Sequence, residues 1–326
     1  MNLSLLTTLV QEVQERTTTD GGFLFPSQGT AEAAVHDDVF MYILAISGFF
    51  FLLINAAAVY FSIKYRRSKC PEPQPSPSHN NTLEMVWTII PTLICVWLFY
   101  IGLDGFIART KAPEGSYEIN VTGQKWSWVF TYPNGAQSKE LHAPSNTNVR
   151  LIIESRDVLH SVWIPEFRIK QDAVPGRYTE TWFNSKIEGQ FTMKCTEYCG
   201  TDHNAMWSTV IIQSKDEFDK WLEDASNPYE GLTPAEAGRA AFELKGCTAC
   251  HTTDGSDGIG PNLVGAFGNE RKLADGSTVN FDENYIRESI LSPTTKVAEG
   301  YPAVMPPGEY KEEEIAHLIT YIKSLK

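Results

Sequence analysis

The chain has 326 residues, 42% of them hydrophobic, and a formal net charge of −13 at pH 7. That length predicts two or three domains. The negative charge excludes nucleic acid and anionic membrane surfaces as partners recognised through charge.

The hydrophobic residues are concentrated rather than spread. Near the start, Leu3 to Val10 has neither a basic region before it nor a small-residue cleavage site, and it is a poor signal peptide. Residues 1–37 read as an external N-terminal segment. Two apolar blocks follow, Val39 to Tyr65 and Met85 to Gly102. A bilayer core of ~30 Å needs about 20 apolar residues in helix, so the blocks predict a transmembrane hairpin over 38–107, embedded in lipid. Lys64, Arg66, Arg67 and Lys69 lie in the connecting loop, whereas Arg16 is the one basic residue ahead of the first block. The positive-inside rule then puts the loop in the cytoplasm and both the N-terminus and everything after about Ala108 outside.

Beyond Ala108 the pattern changes to alternation. Tyr117, Ile119 and Val121 share one register, Trp126, Trp128 and Phe130 the other, and Gly123 near the phase change predicts a bulge. Short runs at 148–155, 177–183, 190–195 and 208–213, separated by Pro, Gly and Asn, predict a β-sandwich over 108–226. A helix over 215–224 closes it, with Phe218, Trp221 and Leu222 on one side. The turn-rich stretch 225–231 is a linker. The region 227–326 is helical: Thr233, Pro234 and Glu236 form a capping box with Pro at the first helical position. Its last helix carries Ile315, Leu318, Ile319, Ile322 and Leu325 at helical spacing, acids at its start and lysines at its end.

The helical region contains Cys247-Thr-Ala-Cys250-His251, a C-x-x-C-H pattern. Such a pattern attaches a c-type haem through two thioethers, with the His as one axial ligand; a redox dithiol followed by an incidental His is the bland alternative. The helix before it and Gly260 to Leu263 after it favour haem. Met305, stiffened by Pro306 and Pro307, is the one methionine after the linker, and His317, read as solvated, the other imidazole. His/Met ligation raises the reduction potential and leaves no open coordination position. This region resembles a class I cytochrome c over essentially all its length.

The densest group of soft ligands runs from Lys194 to Met206 and contains Cys195, Glu197, Cys199, His203 and Met206; His160 lies upstream. Zinc could take two Cys and two His but leaves Met206 idle. One blue copper would need a single Cys, and a disulfide would leave both imidazoles unexplained. Two coppers bridged by two thiolates use every group. On the residues alone these alternatives stay open.

The hairpin and β region together resemble subunit II of cytochrome c oxidase, a haem–copper oxidase family that includes variants with a fused cytochrome c. The resemblance rests on C-x-E-x-C-x-x-x-H-x-x-M at 195–206, on the stretches 84–91, 123–130 and 169–177, and on the position of His160. It implies a cupredoxin-like domain with a dinuclear copper centre: Cys195 and Cys199 bridging, His160 and His203 terminal, Met206 weak and Glu197 ligating through its carbonyl. It also implies a magnesium ion near the Glu197 carboxylate at the border with subunit I, electron transfer through Trp126, and a proton pathway near Glu84. Core packing is the alternative for Trp126 and Trp128, with Ser127 interrupting the aromatic run; an interfacial carboxylate is the alternative for Glu84.

The function so implied is that of the subunit through which electrons enter a proton-translocating oxidase in a bacterial inner (plasma) membrane. An external donor, such as a cytochrome c or another redox protein, would reduce the haem. The electrons would pass to copper and then to subunit I, where oxygen is reduced. Subunit I and the other oxidase subunits are the implied partners. Alternatives are the corresponding subunit of a copper-containing nitric oxide reductase and a copper-delivery protein.

Overall fold

A computed structural model describes residues 21–326 except 73, 74, 76, 257, 309 and 326. The Leu3 to Val10 stretch lies outside the described residues. The chain divides between Lys111 and Ala112 into two compact units.

Among the described residues the first unit holds two long helices, α1 (Ala31–Lys64) and α2 (Asn81–Thr110). Both are long and apolar enough to cross a membrane. The Thr30 hydroxyl caps α1 by accepting the Ala33 N–H, and Asn80 Oδ1 caps α2 by accepting the Leu83 N–H at 3.1 Å. Helix α1 therefore begins ahead of the apolar block, with Asp37 buried and bonded to Gln28 Nε2 at 2.8 Å. The Arg109 guanidinium donates to the Glu32 carbonyl at 2.6 Å and ties the end of α2 to the start of α1.

The second unit starts with a β-sandwich. One sheet, ordered β3-β2-β1-β5-β8, comprises β1 (Tyr117–Gln124), β2 (Ser127–Thr131), β3 (Gln137–Ser138), β5 (Val149–Ser155) and β8 (Thr179–Phe183). The other, ordered β4-β10-β9-β6-β7, comprises β4 (Leu141–Pro144), β6 (His160–Ile164), β7 (Ile169–Ala173), β9 (Gly189–Cys195) and β10 (Trp207–Gln213). The alternating burial of β5 follows from its V-R-L-I-I-E-S pattern, with Val149, Leu151 and Ile153 inside. Helix α3 (Lys215–Ser226) opens with a Ser214–Glu217 capping box and packs Phe218 into the same core.

The bulge expected at Gly123 is not there. Gly123 pairs regularly with Trp128, and the change of phase is a turn at Lys125–Trp126 between the antiparallel strands β1 and β2. The glycine is needed for space: a Cβ on it would lie 3.0 Å from Trp128 Cζ3 and 3.1 Å from His160 Cδ2.

The rest of the unit has its own core. It comprises α4 (Pro234–Leu244), α5 (Glu283–Leu291) and α6 (Glu312–Ser324), with Phe242, Leu263, Ile286, Leu318 and Ile322 packed between them. The expected Thr233–Glu236 capping box is present. At the crossing of α4 and α6, a Cβ on Gly238 would collide with the His317 carbonyl, so a glycine lets the helices approach. One addition to the helical pattern is a hairpin of β11 (Glu270–Lys272) and β12 (Thr278–Asn280). It turns on Asp275-Gly276, where Asp275 Oδ1 accepts the Ser277 N–H at 2.9 Å and Gly276 has φ +85°. Its three-residue strands are too short to carry a readable period.

Candidate metal centres

The loop from Cys195 to Met206 leaves the end of β9 and returns as β10. Cys195 is the last residue of β9, and its N–H is bonded to the Met206 carbonyl at 3.0 Å, which closes the loop. Strand β6 lies beside β9, with Val162 opposite Cys195, and this register brings the wholly buried His160 to the same end of the sheet. Cys195, Cys199 and Met206 are buried and His203 is half-buried.

The two thiols, the Met206 thioether and the two imidazoles converge. The two Sγ atoms are 3.8 Å apart, and both thiols are free. A disulfide needs about 2.05 Å, so the bridge is excluded in this arrangement. Cys195 Sγ lies 3.8 Å from His160 Nδ1, and Cys199 Sγ lies 3.4 Å from His203 Nδ1. Met206 Sδ is 3.8 Å from Cys199 Sγ, and the Glu197 carbonyl is 3.3 Å from Cys195 Sγ. Ligand atoms of His160, Cys195 and Cys199 all fall within 4.8 Å of one another, while His203 reaches the group only through Cys199. Each sulfur thus has its own imidazole.

The electrostatics favour a cation. Burial works against ionisation of Cys195, but its hydrogen bonds to His160 and to the Ser161 backbone outweigh that and bring the thiol down to about 7. Burial, and then the neighbouring Cys195, push Cys199 up to about 12. Two adjacent sulfurs cannot both hold negative charge unless positive charge lies between them.

Sequence reasoning missed Asp157. Its Oδ1 lies 2.8 Å from His160 Nε2, which turns Nδ1 towards sulfur. Oδ2 accepts the Lys125 N–H at 2.8 Å, so the same carboxylate holds the turn that carries Trp126. Trp126 is buried with its indole against Gly200, the residue after Cys199; a Cβ there would lie 3.0 Å from Cζ2. Glu197 turns its side chain to solvent, and Glu84 accepts the Asn80 N–H at 3.2 Å in the first turn of α2. That is the helix-start carboxylate expected as the alternative to a pathway role for Glu84.

In the helical core, Cys247, Cys250, His251 and Met305 line one apolar crevice, together with Phe242, Leu263 and Ile286. His251 Nδ1–H donates to the Pro261 carbonyl at 2.9 Å, which leaves Nε2 as the ligand nitrogen. Burial disfavours the imidazolium and keeps the ring neutral. Gly260 lies against the ring, where a Cβ would come 2.7 Å from Cε1. Burial pushes Cys247 up to about 12 and Cys250 up to about 11, opposite to what a redox dithiol needs. Arg271, also missed from sequence, lines the crevice with its guanidinium 4.4 Å from the Phe281 ring centre. His317 is not solvated as expected. It is half-buried beside Tyr229, with Nδ1 buried, because α6 crosses α4 at Gly238.

A hairpin of membrane-length helices, a β-sandwich with a soft-ligand cluster and a C-x-x-C-H crevice define a membrane-anchored redox metalloprotein. The family models for cytochrome c oxidase subunit II match residues 19–104 (transmembrane domain) and 136–214 (periplasmic domain), and that for cytochrome c matches 235–326. The chain belongs to the cytochrome c oxidase subunit II family, with a C-terminal cytochrome c domain. It is a subunit of a haem–copper oxidase and so part of an oxidoreductase. Cytochrome c oxidase subunit 2 of Alkalihalophilus pseudofirmus is 32% identical over 308 residues, which span 90% of this chain and 87% of that protein. The Synechocystis counterpart is 32% identical over 259 residues, 64% of this chain and 78% of that protein. Among solved structures, the periplasmic domain of subunit II of cytochrome oxidase from Bradyrhizobium japonicum is similar at 30% identity and a TM-score of 0.36. It covers 36% of this chain and 99% of that one.

Proposed function

We propose that this chain is the subunit through which electrons enter its oxidase. A haem would be held by Cys247 and Cys250, with His251 and Met305 as axial ligands. Two copper ions would be bridged by Cys195 and Cys199, with His160 and His203 terminal, Met206 weak and the Glu197 carbonyl completing the set. When bound, the haem and the copper pair supply one-electron chemistry between an external donor and subunit I, where oxygen reduction is coupled to proton translocation. The boundaries 38–107, 108–226 and 227–326 divide the chain into anchor, copper domain and cytochrome. Both redox domains would lie on the periplasmic side of a bacterial inner membrane.

The pairing of each sulfur with a different imidazole carries this reading. A single tetrahedral ion would draw all four ligands into one cluster, whereas His203 stands off beside Cys199. The chain's own residues do the positioning. Asp157 fixes the His160 tautomer, the Pro261 carbonyl fixes that of His251, and the apolar crevice excludes water. Trp126 lies buried on Gly200, the residue after Cys199. A magnesium ion at the Glu197 carboxylate and proton uptake near Glu84 belong to the border with subunit I.

Metal analysis with electron paramagnetic resonance on the purified oxidase tests the reading. Two coppers sharing one unpaired electron give many closely spaced hyperfine lines, expected beside a low-spin haem. A single-copper pattern, or zinc in its place, overturns the dinuclear assignment.

A further inference from the structure

Lys245 sits two positions before Cys247, at the end of α4, and is almost fully buried. Its ammonium contacts the Glu314 carboxylate at 3.1 Å, Gln137 Oε1 at 2.9 Å and the face of Tyr310, with 5.4 Å to the ring centre. An ammonium has three donors, and only two of these partners belong to the cytochrome; Gln137 is on β3 of the sandwich. The Lys245 carbonyl accepts from Gln124 Nε2 at 3.0 Å, a buried side chain at the end of β1 beside the Trp126 turn. Gly246, at φ +77°, lies so close to the Ser127 hydroxyl that a side chain would collide with it. Cys250 and Ile259 pack against the sandwich core that includes Trp126 and Cys199. A mobile tether would present water-facing residues here, whereas this contact has a buried ion pair that also bonds to the other domain.

We propose that Lys245, with Gln124 and Gln137, is a latch that docks the cytochrome on the sandwich and positions the Cys247–Cys250 loop against the Trp126 turn. The inference rests on the proposed function only for its consequence: one electron leaving ferrous haem, which becomes ferric, to reduce the copper pair over a fixed separation. Lys245, Gln124 and Gln137 are positioning residues.

The test uses the complete purified oxidase, the double variant Gln124→Leu/Gln137→Leu and, from the other side, Lys245→Met. Hydrogen–deuterium exchange should show peptides spanning 124–127 and 245–250 protected in the native chain. Their exchange should rise at least ten-fold in either variant, with β5 unchanged. Flash reduction of the haem should give a transfer rate to copper that is independent of solvent viscosity in the native chain. In the variants it should become slower and viscosity-dependent, with both potentials unchanged. Interface peptides that exchange freely in the native chain, or variants indistinguishable from it, overturn the latch. Absence of copper or haem from the preparation instead overturns the proposed function and leaves the exchange result standing.

Discussion

Asp157 and Gly260 show how single residues aim the ligands. The Asp157 carboxylate lies 2.8 Å from His160 Nε2 inside a packed site where Trp128 meets the same imidazole edge-on. Removing such a partner typically weakens metal binding about 10–100-fold. Asp157→Ala should therefore lose copper to a competing chelator at correspondingly lower chelator concentration; an unchanged competition curve would assign the orientation to packing alone. Gly260 leaves room for His251, and Gly260→Ala would drive a methyl group into the ring. The variant should keep covalent haem through Cys247 and Cys250 but lose the low-spin absorption spectrum. The ligands in 195–206 and 247–251 are legible in sequence because each set is local and its spacing carries the chemistry. Asp157 and Arg271 are not, because acids and arginines are common and only the folded register puts one behind a ligand.

At the scale of elements, two packing contacts make separate predictions. Where β4, β10 and α3 meet, His142 stacks on Trp221 at 3.9 Å between ring centres, and its Nδ1 lies 2.9 Å from Gln213 Oε1. Burial lowers its pKa below the ordinary value of 6.5, against the smaller raising effects of Gln213 and Glu140. The folded chain then binds fewer protons there than the unfolded one. Its stabilisation is full above 6.5 and is lost as the pH falls below it. Melting of the sandwich should shift down as the pH falls below about 6.5, and His142→Phe, which keeps the stack without the titration, should flatten that slope. At the other contact, Gly238→Ala overpacks the α4–α6 crossing, at a cost of about 1–3 kcal/mol or more. The haem-monitored melting transition should drop while the copper-monitored one stays in place. The capping boxes of α3 and α4 and the apolar stripe of α6 are readable because they are local signals. The Lys125–Trp126 turn is not, because a phase change in an alternating run looks the same whether one strand bulges or two strands meet.

Across the whole molecule, the acidic balance of the cytochrome predicts that charge would steer a donor to it. From Tyr229 onward the chain carries fifteen acidic against nine basic residues, counted from the sequence, so the cytochrome presents a net negative field. Steering by such a field raises association rates, and salt weakens it because the Debye length is about 10 Å at 0.1 M ionic strength. Reduction of the haem by a basic soluble cytochrome should therefore slow several-fold as ionic strength rises from about 0.01 to 0.3 M. An uncharged hydroquinone should show no such dependence, which separates steering from any effect of salt on the fold. An acidic donor should speed up over the same range as its repulsion is screened. If the basic donor's rate does not change with salt, the net field does not govern recognition, and the donor must dock through an apolar or neutral patch around the haem crevice.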